Sequence, residues 1–145
     1  MEFFNRLIHA LTDLHPLHPM LVHFPIGLTG GGALFILLAL WKQKKEFEVA
    51  AFYNISLASI ATLLAGTAGL YDNEINYGGE APNATLKIAL ATFLLILTTI
   101  TAFLRWRDPT LFYSKAKPTY VASYLLSFIL ALVLAFLGGV ILYGI

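Results

Sequence analysis

A histidine- and proline-rich stretch, HPLHPMLVHFPI, contains the residue types in this sequence that could do chemistry. It holds three of the four histidines of the chain within nine residues, at His15, His18 and His23. Pro19 suits the first position of a helix, because the N–H that proline lacks has no partner there in any case. The pattern therefore predicts a helix with His18 at its N-cap and His23 inside its first turns.

The histidines are predicted to bind a cofactor or a metal if this helix lies in a membrane. An ionisable group within a bilayer is costly and marks a functional site by default, and neutral imidazole is the usual protein ligand of a haem iron. We therefore expect His23 and His18 to hold haem b or a (bacterio)chlorophyll, or no cofactor at all. A structural hydrogen bond to a neighbouring helix is the alternative for His23. For His18 it is an interfacial position beside Asp72, Glu74 and Lys87.

Neighbouring residues add to this candidate site. Pro25 cannot donate a hydrogen bond to the carbonyl four residues earlier, which leaves that oxygen for a ligand, a water or a side chain. Met20 is a candidate sixth ligand of an iron. Gly27 and Gly31 form a GxxxG pair that leaves room for a cofactor ring. Plain packing is the alternative for these glycines, since small residues let membrane helices approach closely.

The composition predicts a membrane protein that is not an enzyme. Apolar residues make up 59% of the 145 residues, charged residues 12%, and the mean hydropathy is +0.78, whereas soluble domains carry about 25% charged residues. The sequence has no cysteine, which excludes iron–sulfur clusters, thiolate nucleophiles and covalent haem. It has no phosphate loop, GxSxG, HExxH or dinucleotide motif. The net charge of +1 predicts no nucleic-acid binding.

Four apolar runs are long enough to cross a bilayer, which takes about 20 residues. They lie at about 20–41, 50–71, 85–104 and 121–143. Short connections make consecutive helices antiparallel neighbours. The predicted fold is therefore an all-α, four-transmembrane-helix up-down bundle, with residues 1–145 forming a single integral membrane domain. Residues 1–14 have apolar residues at helical spacing, which predicts an amphipathic interfacial helix; packing against a partner subunit is the alternative.

The basic residues predict the orientation of this bundle. Seven of the nine Lys and Arg residues fall in the first and third connections. The positive-inside rule places these connections in the cytoplasm. Both termini should then face outward, which is the periplasmic side of a bacterial inner membrane.

The string HPLHPMLVHFPIGL resembles the opening of a family of small bacterial four-helix membrane proteins, domain of unknown function 2231. The resemblance continues through Gly69, Asp72 and Arg105 to the LGGVILYG ending. The family has no established activity, but its layout is similar to membrane-bound b-type cytochromes and its members are often linked to redox proteins. The resemblance therefore implies a haem or electron-transfer role for His18 and His23.

The sequence departs from that family where many members have a further histidine, at Thr85–Lys87 and at Phe136. A haem bridging histidines on two separate helices is therefore not expected. The function expected first is an accessory subunit of a membrane redox or photosynthetic electron-transfer complex, bound to other membrane subunits or forming a homo-oligomer. The alternatives are a stand-alone b-type cytochrome-like electron carrier and a small transporter. The scarcity of charged residues within the predicted spans, where Lys87 is the only one, and the lack of an internal repeat argue against the transporter.

Overall fold

The computed structural model describes residues 1–9 and 17–143, and no strand occurs in those ranges. His15 and residues 10–14 of the predicted amphipathic helix lie outside them. The α-helices, in chain order, are α1 (Glu2–His9), α2 (Leu17–Leu21), α3 (His23–Lys42), α4 (Lys45–Tyr77), α5 (Ala84–Arg107) and α6 (Lys117–Tyr143). A short 3-10 helix, Leu111–Tyr113, precedes α6. The all-α prediction is confirmed.

Four stretches of the described chain are long and apolar enough to cross a membrane. They are His18–Lys42, Lys45–Tyr77, Ala84–Arg107 and Lys117–Val140. The chain is therefore a multi-pass membrane protein in contact with the lipid bilayer. The helices extend beyond the predicted spans, because hydropathy marks only the hydrocarbon-crossing part of a helix and not its ends. As a result, Glu48 and Arg105, placed outside the spans by the sequence, lie inside α4 and α5.

The four long helices form a closed square. α3 packs on α4 and α6, and α5 packs on the same two helices. α3 and α4 pack together where Gly31 and Gly32 lie against the side chain of Asn54. A Cβ at Gly31 would come within 2.7 Å of the Asn54 Oδ1, so this position needs a glycine. The predicted up-down order is confirmed by this neighbour pattern.

The start of the first span is broken near Val22, where α2 ends and α3 begins. Pro25 has no N–H to bond the Leu21 carbonyl, which explains why the helix is interrupted there. The helix begins at Leu17 rather than at Pro19. The predicted N-cap position of His18 is therefore wrong, because the first turn of α2 includes His18 itself.

The two ends of the bundle are packed differently. At one end, here called the Arg105 end, a buried apolar cluster joins α3, α4 and α6 and is covered by the 3-10 helix. Its members are Ile36, Ala39, Ala51, Ile55, Phe112, Tyr120, Val121 and Tyr124. At the other end, called the His18 end, the apolar cluster is smaller and comprises Leu94, Leu130 and Ala131. The His18 end is consequently the one that leaves space between the helices.

Candidate functional site

A cavity of about 470 Å³ opens at the His18 end between α2, α3, α4, α5 and α6. Its volume falls in the range of roughly 300–1,000 Å³ that is usual for small-molecule sites. Residues with little or no side chain create the space: a Cβ added at Gly66 or Gly138 would meet nothing within 4 Å. Its other small lining residues are Ala65, Gly69, Ala81, Ala84, Ala91, Ala131, Ala135 and Gly139. The wall is therefore mostly apolar, with a few polar groups at specific points.

His18 is held in a defined orientation at the wall of this cavity. Its Nδ1 lies 3.0 Å from the carbonyl oxygen of Ala65 on α4. A carbonyl oxygen can only accept, so the neutral imidazole carries its proton on Nδ1 and its lone pair on Nε2. The ring rests on Gly69, where a Cβ would come within 2.7 Å of the His18 Cε1. Within the described residues Nε2 has no hydrogen-bond partner, so it is available to a ligand.

His23 also lines the cavity, but it is more exposed than His18. Its Nδ1 lies 2.7 Å from the carbonyl oxygen of Pro19, one turn earlier in the same segment. The expected alternative of a hydrogen bond to a neighbouring helix is therefore wrong for His23, and it is His18 that makes such a bond. The reason is that α2, which carries His18, packs against α4.

Charged and polar groups stand at the mouth of the cavity. Lys87 on α5 and Asp72 on α4 line it and lie within electrostatic range of His18. Asp72 accepts a hydrogen bond from Asn76 Nδ2 at 2.5 Å. Glu74, the third predicted neighbour, does not line the cavity. Of the three neighbours that the sequence suggested for His18, the structure thus places two, Asp72 and Lys87, at the same cavity.

Other predicted site residues divide between the cavity and the outer surface. Pro25 is buried and lines the cavity. Met20 and Gly27 are exposed and do not line it, so they lie on the wrong side of their helices for a ligand there. Gly31 packs against Asn54 instead of bordering the cavity. Gly27 and Gly31 therefore do not border this cavity, whose glycines come from α4 and α6.

A metal site made by the protein alone has little support in the described part of the chain. That part contains no group of three or more His, Asp or Glu residues that could hold a metal ion. His18 can offer one nitrogen to a metal whose remaining ligands come from a cofactor. This donor set fits a metal that is already bound in a ring.

A second polar centre, which sequence reasoning missed, lies buried at the Arg105 end. Glu48 accepts hydrogen bonds from Arg105 Nε at 2.5 Å and Arg105 Nη2 at 2.8 Å. The Tyr120 hydroxyl donates to Glu48 Oε1 at 2.9 Å and lies 2.8 Å from the Tyr124 hydroxyl. Arg105 also stacks its guanidinium over Phe52, 5.0 Å from the ring centroid. This network ties α4, α5 and α6 together.

The Glu48 network changes one functional argument. Charged residues do lie within membrane helices, so the objection to a transporter based on their scarcity is wrong. The network is nevertheless closed: within the described residues every buried side-chain nitrogen and oxygen has a hydrogen-bond partner. The four residues also lie away from the cavity. The arrangement therefore fits an interhelical clamp better than a solute path.

Comparisons with known proteins identify a family but no activity. Residues 14–144 match the model of a family described as a predicted membrane protein (DUF2231). No curated protein and no solved structure matches the chain. A functional proposal must therefore depend on the geometry of the two polar centres.

Proposed function

The chain belongs to the DUF2231 family of membrane proteins, and from the geometry of its His18 end we propose that it binds a tetrapyrrole, haem b or a (bacterio)chlorophyll, through His18. In this proposal the protein is a small accessory subunit of a membrane redox or photosynthetic electron-transfer complex. The observation that carries the proposal is the His18 ring, whose Nδ1 is bonded to the Ala65 carbonyl while Nε2 remains open at the cavity.

The hydrogen bond to Ala65 is the arrangement that metal-binding histidines typically have. A ligating histidine usually donates its other ring N–H to a carbonyl or carboxylate, which fixes the tautomer and the ring orientation. His18 meets this condition through an element other than its own, because Ala65 belongs to α4. The Nδ1 of His23 is also bonded to a carbonyl, but this carbonyl belongs to Pro19 of the same segment, and His23 is more exposed. We therefore favour His18 over His23 as the axial ligand.

The cavity supports a ring-shaped, mostly apolar ligand. It is bounded by several helices, and its small residues leave space next to the histidine instead of filling it with side chains. The two histidines that line it both come from the α2–α3 segment, which favours a single axial imidazole. A bound haem would supply one-electron chemistry, while the protein would hold the iron and exclude water from the ring.

The test is the pigment content of matched histidine variants. The full chain is purified in mild detergent from its native membrane, and pigment is quantified per chain by extraction. We expect His18→Ala to lose the pigment. His23→Ala, a control at the same end of the bundle, should retain most of it. Full retention of pigment by His18→Ala would overturn the proposal, provided that circular dichroism shows the same helix content in both variants.

We further propose the orientation and the partners that the sequence suggests. Both termini and the His18 end face the periplasmic side of the inner membrane, because seven of the nine basic residues lie toward the opposite end. A cysteine in place of Lys44 should then resist an impermeant thiol reagent in intact cells, whereas one in place of Glu80 should react. The opposite labelling pattern would reverse the orientation. Other chains retained through purification in mild detergent would support the accessory role.

A further inference from the structure

A lysine in the wall of the cavity has no salt bridge with any residue that the structure describes. Lys87, on the first turn of α5, is half-buried and lines the cavity. Asp72 acts on it electrostatically, but within the described residues no carboxylate oxygen lies within 4.0 Å of the Lys87 Nζ. The Asp72 carboxylate is instead bonded to Asn76. The ammonium group therefore keeps its hydrogen-bonding capacity beside an apolar space.

The other buried or half-buried charges of the described helices have close partners. Glu48 and Arg105 are bonded to each other, Asp72 accepts a hydrogen bond from Asn76, and the Lys117 ammonium lies 4.5 Å from the centroid of the Phe112 ring. Charged side chains in membrane helices normally pair with one another or serve a ligand. Lys87 shares the cavity with His18, and the two groups act on each other electrostatically. One ligand can therefore reach both of them.

We infer that Lys87 binds a free carboxylate of the group that His18 holds, an inference that rests on the proposed function. A tetrapyrrole with ionised acid side chains, such as haem b with its two propionates, offers that carboxylate. Chlorophyll-type pigments carry this side chain as an ester and offer no charge to a lysine. A hydrogen bond between an ammonium and a carboxylate is about twice as strong as one between neutral groups. The inference therefore assigns the site to the haem class.

The test compares two probes that differ at the propionates, which are ionised in haem b and esterified in its dimethyl ester. Each is titrated into the detergent-purified, pigment-free full chain, and binding is followed by the Soret band. We expect the protein to bind haem b about tenfold more tightly than the ester, the size of one hydrogen bond to a charged group. Lys87→Gln should remove this preference by weakening haem b binding alone, and Lys87→Arg should preserve it.

Asp72→Asn is a second variant, and it should change the affinity for haem b in the opposite direction. The Asp72 carboxylate attracts the Lys87 ammonium and so competes with a ligand carboxylate for it. Asp72→Asn should therefore tighten haem b binding and leave ester binding unchanged. If Asp72→Asn changes the affinity of both probes in the same direction, Asp72 shapes the cavity entrance and does not act through its charge. That result would contradict the electrostatic role of Lys87.

The outcomes separate this inference from the proposal beneath it. If neither probe nor an added chlorin binds the wild-type chain, or if both probes bind His18→Ala as tightly as they bind the wild type, the proposed function fails. If both probes bind through His18 with equal affinity, or if Lys87→Gln weakens both equally, the proposed function stands and the role of Lys87 is refuted. Preference for haem b that is lost only in Lys87→Gln supports the inference.

Discussion

Substitution of Glu48 by glutamine should strongly destabilise the bundle. Glu48 is fully buried and accepts three hydrogen bonds, two from Arg105 and one from Tyr120. Glutamine preserves the shape but removes the charge, which leaves the buried guanidinium without a counter-ion. Breaking a buried ion pair by altering one partner typically costs about 3–5 kcal/mol. We expect a loss of about 3 kcal/mol, because the glutamine carbonyl still accepts one of the bonds.

The assay is unfolding of the purified protein in mixed micelles with increasing sodium dodecyl sulfate, followed by far-ultraviolet circular dichroism. Glu46→Gln is the matched control, since Glu46 lies in the same first turn of α4 but is exposed. It should cost less than about 1 kcal/mol, the usual limit for a surface charge near a helix N-terminus. The paired change Glu48→Leu with Arg105→Met should cost less than Glu48→Gln alone, because it leaves no unpaired charge.

Equal losses of stability in Glu48→Gln and Glu46→Gln would contradict the role assigned to the buried carboxylate. Equal losses would mean that water or lipid headgroups reach Arg105 and replace the carboxylate. A paired variant that is less stable than Glu48→Gln would contradict the argument differently. It would show that the ion pair itself, and not the unpaired charge, dominates the free energy of unfolding.

Three further substitutions test the packing of the bundle. Gly31→Ala should be less stable than Gly27→Ala by about 1–2 kcal/mol in the same unfolding assay, because only the first pushes a neighbouring amide off its hydrogen bond. Gly69→Ala should lower pigment binding, measured as pigment per chain, by displacing the histidine ring that lies on it, whereas Gly27→Ala, which faces open space outside the cavity, should not. Tyr120→Phe removes one donor from the buried carboxylate and should cost about 1–2 kcal/mol in micelle unfolding; no measurable loss would contradict the assigned bond.

The helical membrane fold was predictable from sequence because each span is long and apolar. What hydropathy cannot give is where each helix ends, since polar and charged residues continue a helix beyond the hydrocarbon. Glu48 and Arg105 were misplaced for this reason, and the network that they form was missed with them. Topology alone puts Glu48 and Arg105 at one end of the bundle, together with Tyr120 and Tyr124 spaced one turn apart. That combination was the available signal.

The candidate site was predicted in part. The motif pointed to His18 and His23, and both line the cavity. It could not show that His18 reaches a carbonyl of another helix, because that depends on how α2 packs against α4. The glycines that matter for the cavity, Gly66 and Gly138, come from later helices, since a local GxxxG pattern does not reveal which neighbour it faces.

The most direct test of the central claim is the absorption spectrum of the protein purified in mild detergent from its native membrane, with pigment and chains counted on the same sample. The account predicts a tetrapyrrole near one per chain, with a Soret band that is lost in His18→Ala. A colourless wild-type protein, with intact helix content and no uptake of added haem b or chlorin, would contradict it.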